Sequence, residues 1–213
     1  MFDLRDKVRE FVAQRSPQVV CVELDEERYH SLISSANPLT YQEIIARLRG
    51  AHAGDDMRGA IDAAKETGAQ LVMMDKNFRH EILPQIVEGQ AKDLLDLRVW
   101  LRRIIGLPFI TSAILARLTS LWLTIDGLDP AWVFIKAVEL EPQFWRNIEG
   151  WMSPHFKQAI CDQREDHMAN ILSECAREHN NIIAVTGLLH LAALKGKLSK
   201  RGFQIEAASA TKL

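Results

Sequence analysis

The stretch QVVCVEL, residues 18–24, decides the fold class of this chain. Its run of Val, Cys and Leu lacks polar alternation, which is typical of a strand covered on both faces, as in parallel sheets. AQLVMMD at 69–75 and NIIAVTG at 181–187 show the same pattern, and FQIEAAS at 203–209 is predicted as a final strand. Helical patterns separate these segments, so the sequence predicts an α/β fold with an open, mostly parallel sheet flanked by helices.

Helical periodicity fills most of the remaining chain. The helices predicted outside the central region cover 2–15, 26–35, 41–49, 55–67 and 188–202. Gly68 follows one of them in a C-cap position. From about 78 to 180 only helical patterns occur, with breaks expected at Gly106 and Pro108. We therefore expect a single domain over 1–213 with a large helical insert at about 78–180.

Within the insert, IIGLPFITSAILARLTSLWLTI at 104–125 carries one charge, Arg117. It is long enough to cross a bilayer of about 30 Å. Its glycine, proline, arginine and hydroxyl residues favour a buried or interfacial helix pair in a soluble protein. A transmembrane span and contact of 104–125 with a membrane surface are kept as the alternatives.

Composition excludes several classes of partner. The 26 Lys and Arg and 28 Asp and Glu give a net charge of −2, so no nucleic acid partner is expected. No GxGxxG or phosphate loop accompanies a strand. The three cysteines form no disulfide pattern and the N-terminus has no unbroken apolar core, which predicts a cytoplasmic protein, with membrane association through 104–125 as the alternative.

Polar residues stand where the predicted strands end. Glu23 interrupts the first apolar run, Asp75 ends the second, and His190 lies three residues after Gly187. Ligands of open parallel sheets gather beyond the carboxyl ends of strands, and an imidazole with a carboxylate suits Zn²⁺ or Mn²⁺. Gly187 is expected to allow a sharp turn without a Cβ penalty. Glu23 and His190 are therefore candidate metal ligands, and a core histidine is the alternative for His190.

Arg164 shares a helix stripe with apolar residues and is predicted to point inward. A buried guanidinium requires anionic partners, for which Glu23, Asp75 or a substrate carboxylate are the candidates. Conversely, the alternative role of Glu23 is to pair with a buried arginine, either Arg28 or Arg164.

These segments resemble the TraB/PrgY pheromone-shutdown family. PQVVCVELDEERYHSL resembles the family's VVxVELxxxR strand and short helix, and AQLVMMD resembles its apolar strand ending in Asp. QREDHMA resembles its ERDxxMA helix, and VTGLLHLAALKGKLSKRG resembles its closing GxxH segment. The resemblance covers nearly the whole chain, although 100–155 contributes little.

The family is similar to the Tiki Wnt-cleaving metalloproteases and to a wider α/β group that includes erythromycin esterase and a haem-uptake protein. The resemblance implies a metal-dependent peptidase or hydrolase that uses Mn²⁺ or Co²⁺, two GxxH motifs and a glutamate. It implies Glu23 and His190 as metal ligands and assigns catalysis to both together with Arg164. The residues expected to contact substrate or support the ligands are Arg28, Asp75, Glu165 and Gly187.

The family's first GxxH segment, a GTAH strand, is not found before the helix at 2–15. We expect either a shortened chain or a natural variant that lacks one histidine and one strand, and RGAHAG at 49–54 is a poor substitute because its spacing is GxH. The alternative function is non-catalytic binding of a peptide or small signalling molecule. The sheet edge left by the missing strand is expected to support a homodimer.

Overall fold

The computed structural model describes residues 4–34, 54–124, 141, 144, 147–148, 150–151 and 153–208, without the side chains of 120–124. The predicted helix at 41–49 and His52 of RGAHAG lie outside the described residues.

The described helices and strands follow one another in the order α1 (Leu4–Gln14), β1 (Val19–Val22), α2 (Glu26–Ile33), α3 (Asp55–Thr67), β2 (Gln70–Met73), α4 (Leu83–Leu95), α5 (Leu97–Thr124), α6 (Pro154–Lys157), α7 (Gln163–Glu178), β3 (Ile182–Val185) and α8 (Leu188–Lys200). Single π-helical segments precede α4 and α7, at Phe78–Ile82 and Gln158–Asp162.

The chain divides into two compact units. The first consists of Met1–Phe78, Arg164–Gly187 and Leu194–Leu213, and the second of Arg79–Gln163 and Leu188–Ala193. The second unit therefore contains most of the helical insert predicted for about 78–180. By contrast, α7 belongs almost entirely to the first unit, because its apolar face packs against the sheet.

The sheet of the first unit contains three parallel strands among the described residues, in the order β2-β1-β3. Val22 of β1 is level with Met73 of β2 and with Val185 of β3, so all three strands end at one edge. The central strand β1 is buried along its whole length. These observations confirm the predicted α/β class, the predicted parallel sheet and the predicted burial of β1. The predicted burial of β2 is wrong, because β2 is an outer strand of the described sheet and is only partly buried.

The side chains of β1 alternate between two apolar clusters, as a strand with a period of two residues requires. Val20 and Val22 pack in the cluster that includes α1 and α3. Val19 and Cys21 pack in the cluster that includes α7 and Leu194 of α8. The helices on the two faces thus hold β1 in place and position its carboxyl end.

The predicted fourth strand at 203–209 is wrong for residues 203–208, which form no strand. The chain turns at Gly202, whose φ is 88°, and the Phe203 amide donates to the carbonyl oxygen of Leu198 at 3.2 Å. This bond folds the segment back onto the end of α8, where most of its side chains are exposed.

The predicted helix breaks at Gly106 and Pro108 are also wrong, because α5 runs through both residues. A proline inside a helix removes one backbone hydrogen bond, and this loss does not interrupt a helix of 28 residues. The expected buried helix pair is therefore one long helix.

We expect Gly59→Ala to reduce the free energy of unfolding by about 1–3 kcal/mol, because a Cβ at Gly59 of α3 would overlap the Arg5 carbonyl oxygen of α1. Urea unfolding measures the effect. Gly196→Ala in α8 is the control, since its Cβ meets nothing within 4 Å and alanine is the better helix former. Equal stability of the two variants would contradict the close packing of α1 on α3.

Candidate functional site

Polar side chains converge where the three strands end. Glu23 follows β1 directly, Asp75 lies two residues beyond β2, and Thr186–Gly187 follows β3. Backbone bonds extend the pairing past the last strand residues: the Glu23 amide donates to the Val185 carbonyl at 3.1 Å, and the Asp75 amide donates to the Leu24 carbonyl at 3.2 Å. The parallel register therefore brings residues that are distant in sequence to one edge. We call the resulting group the strand-end cluster; its members are Glu23, Arg28, Asp75, Arg164, Thr186 and Gly187.

Arg164 lies at the centre of the strand-end cluster. Its Nε donates to Asp75 Oδ1 at 2.9 Å and its Nη2 to Asp75 Oδ2 at 2.6 Å, which is a two-pronged guanidinium–carboxylate pair. Nη2 also donates to Glu23 Oε1 at 2.7 Å. The Arg164 side chain is 8% exposed and that of Asp75 is 0% exposed. The predicted inward arginine and both of its predicted carboxylate partners are observed.

Glu23 connects the end of β1 with α7 and with the end of β3. Its Oε1 accepts from Arg164, while its Oε2 accepts from the Thr186 hydroxyl and the Gly187 amide, each at 2.6 Å. A carboxylate offers about four lone-pair positions, and at least three of those on Glu23 are used by protein donors. Glu23 is thus held by α7 on one oxygen and by the end of β3 on the other.

Arg28 brings α2 to the same edge. Asp25 caps α2 by accepting the Arg28 amide at 2.9 Å, and it also accepts the Phe78 amide at 3.2 Å. Arg28 Nη1 donates to Asp75 Oδ2 at 2.8 Å, and 41% of the Arg28 side chain stays exposed. One buried carboxylate therefore orients both a buried and a half-exposed guanidinium.

The charges of this group stabilise one another. Burial alone would raise the pKa of Asp75, but the hydrogen bonds and charge of Arg164, together with the charge of Arg28, lower it below its usual range. Burial would lower the pKa of Arg164, but its bonds to Asp75 and Glu23 and their charges raise it. Asp75 and Arg164 are consequently ionised around neutral pH.

A further carboxyl, Asp56, interacts with this edge from the first turn of α3. Burial raises the pKa of Asp56 above its usual value; a hydrogen bond from the Met57 amide opposes this rise, and the negative charge of Glu23 adds to it. Its Oδ1 accepts the Met57 amide at 2.9 Å. Asp56 is thus a carboxyl that holds its proton more strongly than usual, and the charge of Glu23 contributes to its raised pKa.

Three other predicted site residues lie in α7 or at the start of α8. Glu165 is fully buried on α7. His190 is buried in the first turn of α8, within the second unit, and its role as a metal ligand stays a prediction. Gly187 has φ −60° and ψ 145°, which any residue adopts, so the predicted need for glycine in a sharp turn is wrong. Gly187 contributes to the site through its backbone amide, which donates to Glu23.

Asp25, Asp56 and Thr186 were not identified from the sequence. Asp25 stands immediately before a helix, a position where aspartate commonly caps, and this was the available signal. Asp56 belongs to an Asp pair that opens α3. Thr186 has no signal beyond its place next to Gly187, since its contact with Glu23 spans 163 residues.

The strand-end cluster does not fit the divalent metal that the resemblance implies. Among the residues that the structure describes, no three His, Cys, Asp or Glu side chains are grouped so that they could hold a metal ion. The Arg164 guanidinium also lies 2.7 Å from Glu23 Oε1, and its positive charge opposes a second cation there. The exposed part of Arg28 suits an anion instead.

No family model matches the chain, and no curated protein matches it in sequence. The strand-end cluster, with the motifs that resemble the TraB family, therefore carries the functional proposal.

We expect Arg164→Met to lower the free energy of unfolding by about 3–5 kcal/mol, because it leaves two buried carboxylates without their shared cation. Chemical unfolding at neutral pH measures the loss. Arg177→Met is the control, since Arg177 is exposed in the last turn of the same helix and such changes stay within about 0.5 kcal/mol. A loss below about 1 kcal/mol in Arg164→Met would contradict the central role of this residue.

We expect Asp56→Asn to be more stable than the wild type at pH 7 to 8. A raised pKa in the folded state means that the stability contributed by protonated Asp56 is complete below the unfolded value of about 3.9 and is lost as the pH rises through the folded value. The advantage of the variant should therefore disappear on acidification towards about pH 4. Unfolding free energies measured across this range test the sign, and a variant less stable than the wild type at pH 7.5 would refute it.

Proposed function

We propose that this chain is a TraB-like protein that binds a peptide or small signalling molecule through an anionic group at the strand-end cluster. One observation carries the proposal: the side chains singled out in separate motif segments converge in the folded chain. Arg28 of the VELDEER segment, Asp75 of MMD and Arg164 of QREDHM form one hydrogen-bonded group. On the same grounds we propose that the α/β fold is of the kind shared by Tiki proteins and erythromycin esterase.

Arg28 is the proposed ligand-binding residue. Its side chain is oriented by buried Asp75 while part of its guanidinium side chain faces solvent. A planar guanidinium donates two parallel hydrogen bonds to a carboxylate, and its pre-set orientation reduces the entropy lost on binding. A free peptide C-terminus has the chemistry that this arrangement recognises.

Glu23 supports the site in this proposal and does not bind the ligand. Its carboxylate already accepts from Arg164, Thr186 and Gly187, so its loss would release the end of β3 from α7. This role favours binding without a metal over metal-dependent cleavage.

Hydrolysis of a peptide at the same edge is the second candidate, and Asp56 is the observation that favours it. A carboxyl whose pKa is raised by burial and by the charge of a second carboxylate has the property used for general acid–base catalysis. Mass spectrometry of peptides incubated with the protein, with and without added Mn²⁺, Co²⁺ or Zn²⁺, tests this candidate. Cleavage that Asp56→Asn abolishes would support it, and metal bound at near-stoichiometric level and lost in Glu23→Gln and His190→Ala would make it metal-dependent.

The predicted homodimer is kept as a proposal. The outer strands of the described sheet are β2 and β3, and a second copy would pair along one of them. Sedimentation equilibrium of the full chain tests it.

We expect Arg28→Gln to weaken binding of apolar peptides with a free C-terminus about 10- to 100-fold, because hydrogen bonds to a charged group contribute about 1.5–3 kcal/mol. Isothermal titration calorimetry with a peptide panel measures this, and C-terminal amidation of the peptides should have a similar effect on the wild type. Arg5→Gln is the control, since Arg5 is also half-exposed and paired with an aspartate, Asp62, on α3.

Chelator should leave the affinity unchanged in the same titration. The proposal fails if no peptide of the panel binds, or if binding is indifferent both to amidation and to Arg28→Gln.

A further inference from the structure

Helix α5 of the second unit has large apolar side chains on its exposed surface, where a helix of a water-soluble protein usually has polar ones. Residues 97–124 include four arginines and no aspartate or glutamate. The segment Leu97–Thr119 contains 23 residues with a mean hydropathy of 1.5 in its most apolar window, and only 6% of that window is buried. A long apolar surface of this kind is a typical binding surface.

The large side chains of α5 point to solvent. Phe109 is 74% exposed and Leu115 is 67% exposed. We call the exposed apolar side chains of this helix the outer face of α5; they are Leu97, Trp100, Leu101, Ile104, Ile105, Leu107, Phe109 and Leu115.

Two of the four arginines of the same helix, and two of its hydroxyl groups, form hydrogen bonds within the protein. Arg103 donates to the Ser153 hydroxyl at 2.9 Å, and Arg117 donates to Glu141 at 2.6 Å. The hydroxyls of Thr111 and Ser112 donate to backbone carbonyls of the preceding turn. A helix with apolar side chains outward and internally satisfied polar groups is the arrangement that hydrocarbon requires.

The helices on either side of α5 decide its orientation. Asp93 of α4 and His155 of α6 form a hydrogen bond of 2.6 Å, so the helices described before and after α5 contact one another in the second unit. A single crossing of a bilayer by α5 would separate these two residues. Residues 125–153 carry seven charged residues, so they supply no second apolar span. A helix lying along the membrane surface satisfies both facts.

The charged and aromatic residues at the start of α5 indicate which lipid headgroups the helix would contact. Arg98 and Arg102 are exposed beside the outer face, and Trp100 presents a partly exposed ring while its Nε1 donates to the Leu94 carbonyl at 2.8 Å. Arginines next to a tryptophan are typical of segments held at anionic headgroups.

We infer that α5 lies in the surface of a bilayer containing anionic lipids, with its outer face among the acyl chains and Arg98 and Arg102 at the phosphates. The inference is independent of the ligand proposed for the strand-end cluster, and Arg28→Gln should bind membranes as the wild type does.

Flotation of the full chain with vesicles tests it. The wild type should float with vesicles of equimolar phosphatidylcholine and phosphatidylglycerol, and less with phosphatidylcholine alone. Arg98→Gln with Arg102→Gln should reduce binding to the anionic vesicles about tenfold or more. Ile104→Asp with Phe109→Asp should abolish flotation while circular dichroism and elution volume stay those of the folded wild type. Ile33→Asp in α2 is the matched control, since Ile33 is an equally apolar and 45% exposed residue that belongs to the first unit.

The inference is overturned if the wild type stays at the bottom with both kinds of vesicle, or if the Ile104→Asp, Phe109→Asp protein floats as well as the wild type. A concentration-dependent dimer that this double substitution dissociates, without flotation of the wild type, would also overturn it and identify a second copy as the partner of the outer face.

Discussion

The buried charge of Arg164 is the constraint on which the first unit depends. A guanidinium taken out of water is costly unless anions surround it, and here Asp75 and Glu23 provide three hydrogen bonds from the ends of two different strands. The same interaction connects α7 to the sheet edge. Removing the cation would leave two buried carboxylates without the positive charge that they share, so each member of the group depends on the others.

The parallel sheet makes this group possible. Because β1, β2 and β3 run in one direction and end level with one another, the first polar residue after each strand arrives at the same edge. Glu23 then accepts from Thr186 and Gly187 across 163 and 164 residues of sequence. Arg28 receives its orientation from Asp75, and it is the one of the two guanidinium side chains that remains accessible to a ligand. In the function that we propose, the same carboxylate therefore serves both stability and recognition.

The second unit differs from the first in where its apolar side chains lie. In the first unit, apolar side chains alternate into clusters on either face of β1 and charges meet at its end. In α5, large apolar residues are exposed while Arg103 and Arg117 bind protein partners. The two surfaces suit different surroundings, an aqueous ligand for the strand-end cluster and lipid for α5.

Local pattern in the sequence determined the elements of the fold. The apolar runs around Val20, Val72 and Ile183 predicted parallel strands, which is confirmed, although of the two strands predicted to be buried only β1 is so. The stripe that contains Arg164 predicted an inward guanidinium with Glu23 and Asp75 as partners. Such inferences are possible because a buried helix face or strand has a characteristic spacing of apolar residues in the sequence, and because a buried charge requires a partner of opposite charge. FQIEAAS shows the limit, since strand-like alternation cannot show whether a sheet edge is available to pair with.

Only the tertiary structure decided how the remaining groups are used. The raised pKa of Asp56, the capping of α2 by Asp25 and the contact of Thr186 with Glu23 depend on distances between segments that no local pattern records. The same holds for α5, whose composition favoured a buried or interfacial helix pair over a span. Its exposed outer face shows that it is not a buried helix, and the bond between Asp93 and His155 is the observation from which we propose a surface helix and not a span.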